Sequence, residues 1–182
     1  VVRDALTIAY APARYYRPWQ AVYATAPGDQ RRWLNSTLIR QRRLPLPASL
    51  ALPSDPLPRR LIGLWDQLPQ LAVLMAAARL RGWLATQRAS VALPPQVQAF
   101  MRAGYARDEA TVVPACALHD APGTLLQWGA AELRPMAPML PAWLSARLWL
   151  PFAGAEDERP PVRERADMDL FWSAVTYVEK LS

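Results

Sequence analysis

Cys116 and His119 stand three residues apart, with Asp120 next in line. On a helix that spacing brings a thiol within reach of an imidazole, the beginning of a nucleophile–base pair. Such a pair also needs a third group to orient the imidazole, and Asp120 is its chain neighbour rather than a group facing it. The run continues into Ala121-Pro122-Gly123, which reads as a helix end. These are the chain's single cysteine and single histidine, so no zinc site of thiolates and imidazoles can be assembled. A buried structural cysteine is the simpler account. The carboxylates offer no alternative chemistry. Asp108-Glu109 and Glu156-Asp157-Glu158 are contiguous, not set on facing elements as a general acid and base would be. With only 7 glycines there is little from which to build a phosphate-cradling loop. No catalytic residue, cofactor or metal is expected. Asn35-Ser36-Thr37 matches a glycosylation sequon, but it falls inside a helical stretch and reads as a chance match.

Arginine mixed with aromatics is the other constellation able to do something. Arg14-Tyr15-Tyr16-Arg17-Pro18-Trp19 and Arg31-Arg32-Trp33 could stack bases and hold phosphates. The same mixture arises where a ring packs inward and a guanidinium lies over it. Arg40-Gln41-Arg42-Arg43 closes a helix, where the dipole favours cations without any ligand. The chain has 8 tryptophans, more than a small helical core needs. One or two of them are expected to face a partner, because Trp and Arg are enriched at interface hot spots.

The elements that position these residues are helical. Residues 1–28 are rich in proline and aromatics without a sustained period, and read as an extended or short-helical arm pinned by its rings. Asp29 can cap a helix to about Arg42, with Trp33, Leu34, Thr37, Leu38 and Gln41 on one face. Leu44 to Pro58 is spaced by prolines and reads as a stiff connector. A stripe of Leu61, Leu64, Trp65 and Leu68 follows, and Pro69 should break or kink it. The run on to Arg88 is apolar around much of its circumference, which predicts a central buried helix. Pro94-Pro95 suits a helix start, with Val97, Phe100, Met101, Gly104 and Tyr105 on its stripe. Thr124 can cap a helix to Arg134, and Pro138 to Leu150 is a further amphipathic stretch. Pro151 to Arg165 reads as a charged loop, after which Asp167 can cap a last helix to Leu181. Strand alternation is scarce. The expected fold is therefore all-α, an irregular domain of about seven or eight helices over residues 29–182, with the arm of residues 1–28 packed on it.

At 182 residues and 52% hydrophobic composition the chain can bury a core of its own. The single cysteine excludes an internal disulfide and is compatible with a reducing cytosol. Pro135 to Ala146, the longest uncharged run of interest, is far short of a bilayer span and holds three prolines. No signal peptide is expected from the opening Val1-Val2-Arg3-Asp4. The net charge is +6, and every basic residue except Lys180 is arginine. Together with the abundance of Ala, Pro and Leu, that reads first as compositional bias on a solvated surface.

Three segments, in order, carry a family likeness. Tyr10-Ala11-Pro12-Ala13-Arg14-Tyr15 is similar to an aromatic-x-Pro-Ala-x-Tyr opening. Leu50-Ala51-Leu52-Pro53 precedes a long Leu-rich region to Arg88. Trp143-Leu144-Ser145-Ala146-Arg147-Leu148-Trp149-Leu150-Pro151 is similar to a tryptophan-x(n)-Arg-Leu-x-Leu-Pro segment, followed by an acidic, proline-containing loop and a last helix. The chain thus resembles SctK, the accessory subunit of the type III secretion sorting platform (the YscK and PscK proteins). The resemblance implies a mostly helical, non-enzymatic adaptor at the cytosolic face of the inner membrane. It would link the cytoplasmic forkhead-associated-like domain of the ring protein SctD to the pod protein SctQ, with SctL and the ATPase SctN further along. Tyr15, Tyr16 and Trp19 in the arm, with Arg59 and Arg60 on the polar side of a central helix, are the candidate interface residues. The alternative is a basic helical domain that binds nucleic acid through its Arg/Tyr/Trp arm.

Overall fold

The computed structural model describes residues 2–49, 53–86, 93–105, 121–154, 160 and 164–181. Ten α-helices and no strand occur among them: α1 Val2–Tyr10, α2 Gln20–Thr25, α3 Gly28–Gln41, α4 Pro56–Gly63, α5 Leu68–Arg79, α6 Arg81–Thr86, α7 Pro95–Arg102, α8 Ala121–Leu133, α9 Ala142–Ser145 and α10 Met168–Leu181. The class is all-α, as the sequence predicts. The count is higher because proline and tight turns divide stretches that periodicity alone runs together. The chain packs as two units, one from residues 1–68 and 137–154, the other from 69–136 and 155–182.

The first unit is built from short pieces. In the opening segment, where no period is legible, α1 buries Ala5, Ile8 and Ala9 at spacings of three and four. Three such small contacts are too few to register as a pattern. Helical turns at Pro12–Arg14 and Arg17–Trp19 lead through α2 into α3. Pro27, not Asp29, occupies the cap position of α3, and Asp29 instead pairs with Arg32 one turn on. The expected face of α3 narrows to Leu34 and Leu38, while Trp33 turns outward and is 59% exposed. Pro56 and Pro58 belong to the first turn of α4 rather than to the connector; a proline nitrogen there would have had no helical acceptor in any case. The helix buries Leu57, Pro58, Leu61 and Ile62. The α-helical run breaks at Leu64–Gln67, not at Pro69, which sits harmlessly in the first turn of α5. The amphipathic stretch expected from Pro138 to Leu150 is not continuous: a 3-10 helix over Arg134–Met139 and another over Leu150–Phe152 flank the single turn of α9, which starts after Pro141.

The second unit is organised around α5. Leu71, Ala72, Leu74, Met75, Ala76, Ala77, Ala78 and Arg79 are all at most 1% exposed, so the helix is buried on every side, as its apolar circumference predicts. It stops at Arg79, and the expected continuation is the separate α6. α8 approaches α5 closely enough that a Cβ added at Gly129 would collide with the Ala72 backbone. α8 begins at Ala121, so Thr124 lies in its first turn rather than at its cap. α7 starts at Pro95 and buries Val97 and Phe100, but it ends at Arg102. Gly104 takes φ +68, which stops the helix, so Gly104 and Tyr105 do not continue its stripe. Asp167 does cap α10: its Oδ1 accepts the Leu170 N–H at 2.9 Å. That helix buries Leu170, Phe171, Ala174, Val175 and Val178.

Candidate partner-binding surface

In the first unit the backbone itself creates a demand for donors. Pro12 has no N–H to offer the carbonyl of Ile8, and the N–H of Ala13 goes to the Asn35 side chain at 3.0 Å. The last turn of α1 therefore leaves the carbonyls of Ile8 and Ala9 without helical partners. The Tyr15 hydroxyl donates to Ile8. Arg147, fully buried, donates from Nη2 to Ala9 at 2.8 Å. The Arg147 backbone N–H bonds Leu144 instead of Trp143, and its own Nη1 then satisfies Trp143 at 2.8 Å and Pro45 at 2.6 Å. One guanidinium thus ties α1, the 44–49 connector and α9 together. Its Nε has no acceptor. Burial raises the Tyr15 hydroxyl pKa well above its ordinary value, with the nearby Arg147 charge acting in the opposite direction. Burial likewise lowers the Arg147 pKa, against the pull of Tyr15.

The five candidate interface residues fall into three settings. Tyr15 and Tyr16 are buried: Tyr15 packs edge-on against Trp65 at 5.4 Å, and Tyr16 against Trp19 at 5.3 Å. Trp19 is half-buried. The Arg42 guanidinium lies 5.7 Å over the Tyr16 ring and donates to its hydroxyl at 3.0 Å. Arg59 and Arg60 are exposed on α4, opposite its buried leucines. The arm aromatics and the α4 arginines therefore do not form one cluster of exposed side chains. Cys116, His119, Asp120, Asp108-Glu109 and Glu156-Asp157-Glu158 lie outside the described residues, and no metal-binding group of three His, Cys, Asp or Glu occurs among those described.

Charge is divided unequally between the units. The first draws on eleven arginines and four aspartates, a net of +7; the second has ten basic and eleven acidic residues, a net of −1. Basic residues are spread almost evenly, as compositional bias would leave them. The asymmetry comes from missing carboxylates: the first unit contains no glutamate. Ten of its eleven arginines are exposed. Bias toward arginine does not explain that depletion, and it leaves this unit's surface complementary in sign to an acidic one.

The two segments at the ends of the family likeness, Tyr10–Tyr15 and Trp143–Pro151, thus lie in one unit, where Arg147 bonds the Ala9 carbonyl just ahead of the first and sits beside Tyr15. A family model described as bacterial type III secretion apparatus protein (OrgA_MxiK) matches residues 5–180. The chain belongs to this family. Among its relatives is the oxygen-regulated invasion protein OrgA from strains LT2, SL1344 and 14028s of Salmonella typhimurium, each 32% identical over 122 residues. The match covers 64% of this chain and 56% of each relative, so the chain spans little more than half the length of those OrgA proteins. OrgA is of the SctK family, the one that the sequence resembles. No solved structure matches the chain significantly. No single helix among the described residues of this OrgA_MxiK family member is long and apolar enough to cross a membrane.

Proposed function

We propose that this type III secretion apparatus protein is an adaptor of the sorting platform, which joins the cytoplasmic domain of an SctD-like ring protein to an SctQ-like pod protein at the cytosolic face of the inner membrane. SctL-like and SctN-like proteins would be reached only indirectly. The observation that carries this reading is the contrast between the units, one strongly basic and one near neutral, because a scaffold that holds two partners needs two unlike surfaces. Family membership sets the machinery in which those partners belong. Arg59 and Arg60 would meet an acidic surface directly. Tyr15, Tyr16 and Trp19 would act mainly by fixing the backbone beneath such a surface, with the open edge of Trp19 available to touch it.

The test is affinity co-purification of the tagged chain from its native cytosol at moderate salt after nuclease treatment. SctQ-like and SctD-like proteins should be retained. Arg59→Glu with Arg60→Glu should reduce capture of one of them without lowering Tm. Binding that disappears with nuclease, leaving neither protein, would refute the adaptor and favour the nucleic-acid alternative.

A further inference from the structure

Trp33 is the most exposed of the large hydrophobic residues among those described, at 59%. It stands on α3, a helix anchored inward by Leu34 and Leu38 and outward-facing at Trp33, Ser36 and Arg40. Arg32 lies beside this face, bonded to Asp29, which is the face's carboxylate. The whole face sits on the unit that carries a net +7. An isolated exposed leucine would need no explanation, but an indole held in water on a rigid fourteen-residue helix amid arginines has the composition of an interface anchor.

The rest of the surface argues for a protein rather than a nucleic acid. Single-stranded nucleic acids stack successive bases on successive rings. Here Tyr16 and Trp19 are spent on one another, and Tyr23 lies under Arg31. Several guanidiniums are also engaged internally: Arg31 donates to the carbonyls of Tyr23 and Ala24, Arg42 to Tyr16, and Arg14 to Asp66. Trp33 remains, the most exposed of this unit's outward-facing large apolar side chains, in a positive field.

We infer that the outward face of α3 docks an acidic segment of a protein partner that offers an apolar notch to Trp33 and a carboxylate to Arg40. This inference rests on the adaptor reading and says where on the basic unit one of its partners sits.

The experiment places a photo-crosslinking amino acid at position 33 of the full chain in its native cell, with a second variant carrying it at position 59. An adduct at position 33 with an apparatus protein, mapped to an acidic segment, is the expected result. Trp33→Ala should then weaken binding of that purified partner about 30-fold, as a hot-spot loss does, with Tm unchanged. Arg40→Glu should also weaken it. Adducts at 59 but none at 33 would overturn the inference and leave the adaptor reading standing. A nuclease-sensitive adduct at 33 would overturn it in favour of nucleic acid. No adduct at either position, with co-purification also empty, would remove both readings.

Discussion

Among the described residues each unit buries one arginine, and the two are satisfied in different ways. Arg79 in the second unit meets two carboxylates: Nε donates to Glu132 at 3.4 Å, and Nη2 bonds Asp167. Arg147 in the first unit has no carboxylate beside it: it donates to the carbonyls of Ala9, Pro45 and Trp143, with the Tyr15 hydroxyl nearby. The first arrangement neutralises a charge; the second supplies directed donors to a backbone whose own donors are missing. The contrast follows from the sequence around each. The second unit has a long apolar helix at its centre, and its polar problem is a charge buried at that helix's last residue. The first is chopped by proline, and its polar problem is stranded carbonyls. Two identical side chains at similar burial therefore do different jobs.

The largest effect should come from breaking the charged cluster. Arg79→Met takes the guanidinium away from Glu132 and Asp167 in poorly solvated positions and is expected to cost about 3–5 kcal/mol in a denaturant titration. Adding Glu132→Gln and Asp167→Asn should recover much of that loss, because amides need no counter-charge and Asn still caps a helix. Arg147→Met should cost less, about 1–3 kcal/mol, because only the bond to Ala9 is fully buried. No neutralising substitution should rescue it, and Arg147→Lys should do so only in part, since one ammonium cannot reach three carbonyls. An equal rescue at both sites would dissolve the distinction. Gly129→Ala sharpens it from the packing side. The helix gains about 1 kcal/mol of propensity, but the methyl meets the Ala72 backbone, and such overpacking costs about 1–3 kcal/mol. Net destabilisation is expected, in the second unit alone. The smallest effect concerns Tyr15. Its pKa is raised in the fold above the ordinary 10.0, so the fold holds the proton more tightly than the unfolded chain does. That contribution is fully present below pH 10 and is lost as pH climbs past it toward the folded value. Stability measured upward from pH 10 should fall, and Tyr15→Phe should flatten that limb after losing about 1 kcal/mol at neutral pH.

What was legible in the sequence is what depends on near neighbours. The apolar circumference of the 71–79 run, the Pro94-Pro95 start and the Asp167 cap are local signals, and the structure shows all three. The family likeness singled out the Tyr10–Tyr15 and Trp143–Pro151 segments, but no spacing rule says that Arg147 reaches Ala9, 138 residues away. The direction of Trp33 was hidden for a different reason. It is adjacent to Leu34, so both seemed to belong to one stripe, and only packing selects Leu34 and Leu38 as the inward pair. The charge contrast was invisible because it depends on which segments assemble together. Residues 137–154 bring no carboxylate to residues 1–68, and that pairing is a property of the fold.

The Arg147 pin also has a consequence for how the chain is made. Its unit is discontinuous, so residues 1–68 leave the ribosome with α1 and the connector still untied. At bacterial elongation rates of up to about 20 residues per second, several seconds pass before residue 147 is synthesised. During that interval the carbonyls of Ala9 and Pro45 must be hydrated, and the site that later receives Arg147 stays open. A nascent chain arrested at residue 136 is thus expected to be digested quickly in its first 68 residues, and one extended past residue 154 to resist.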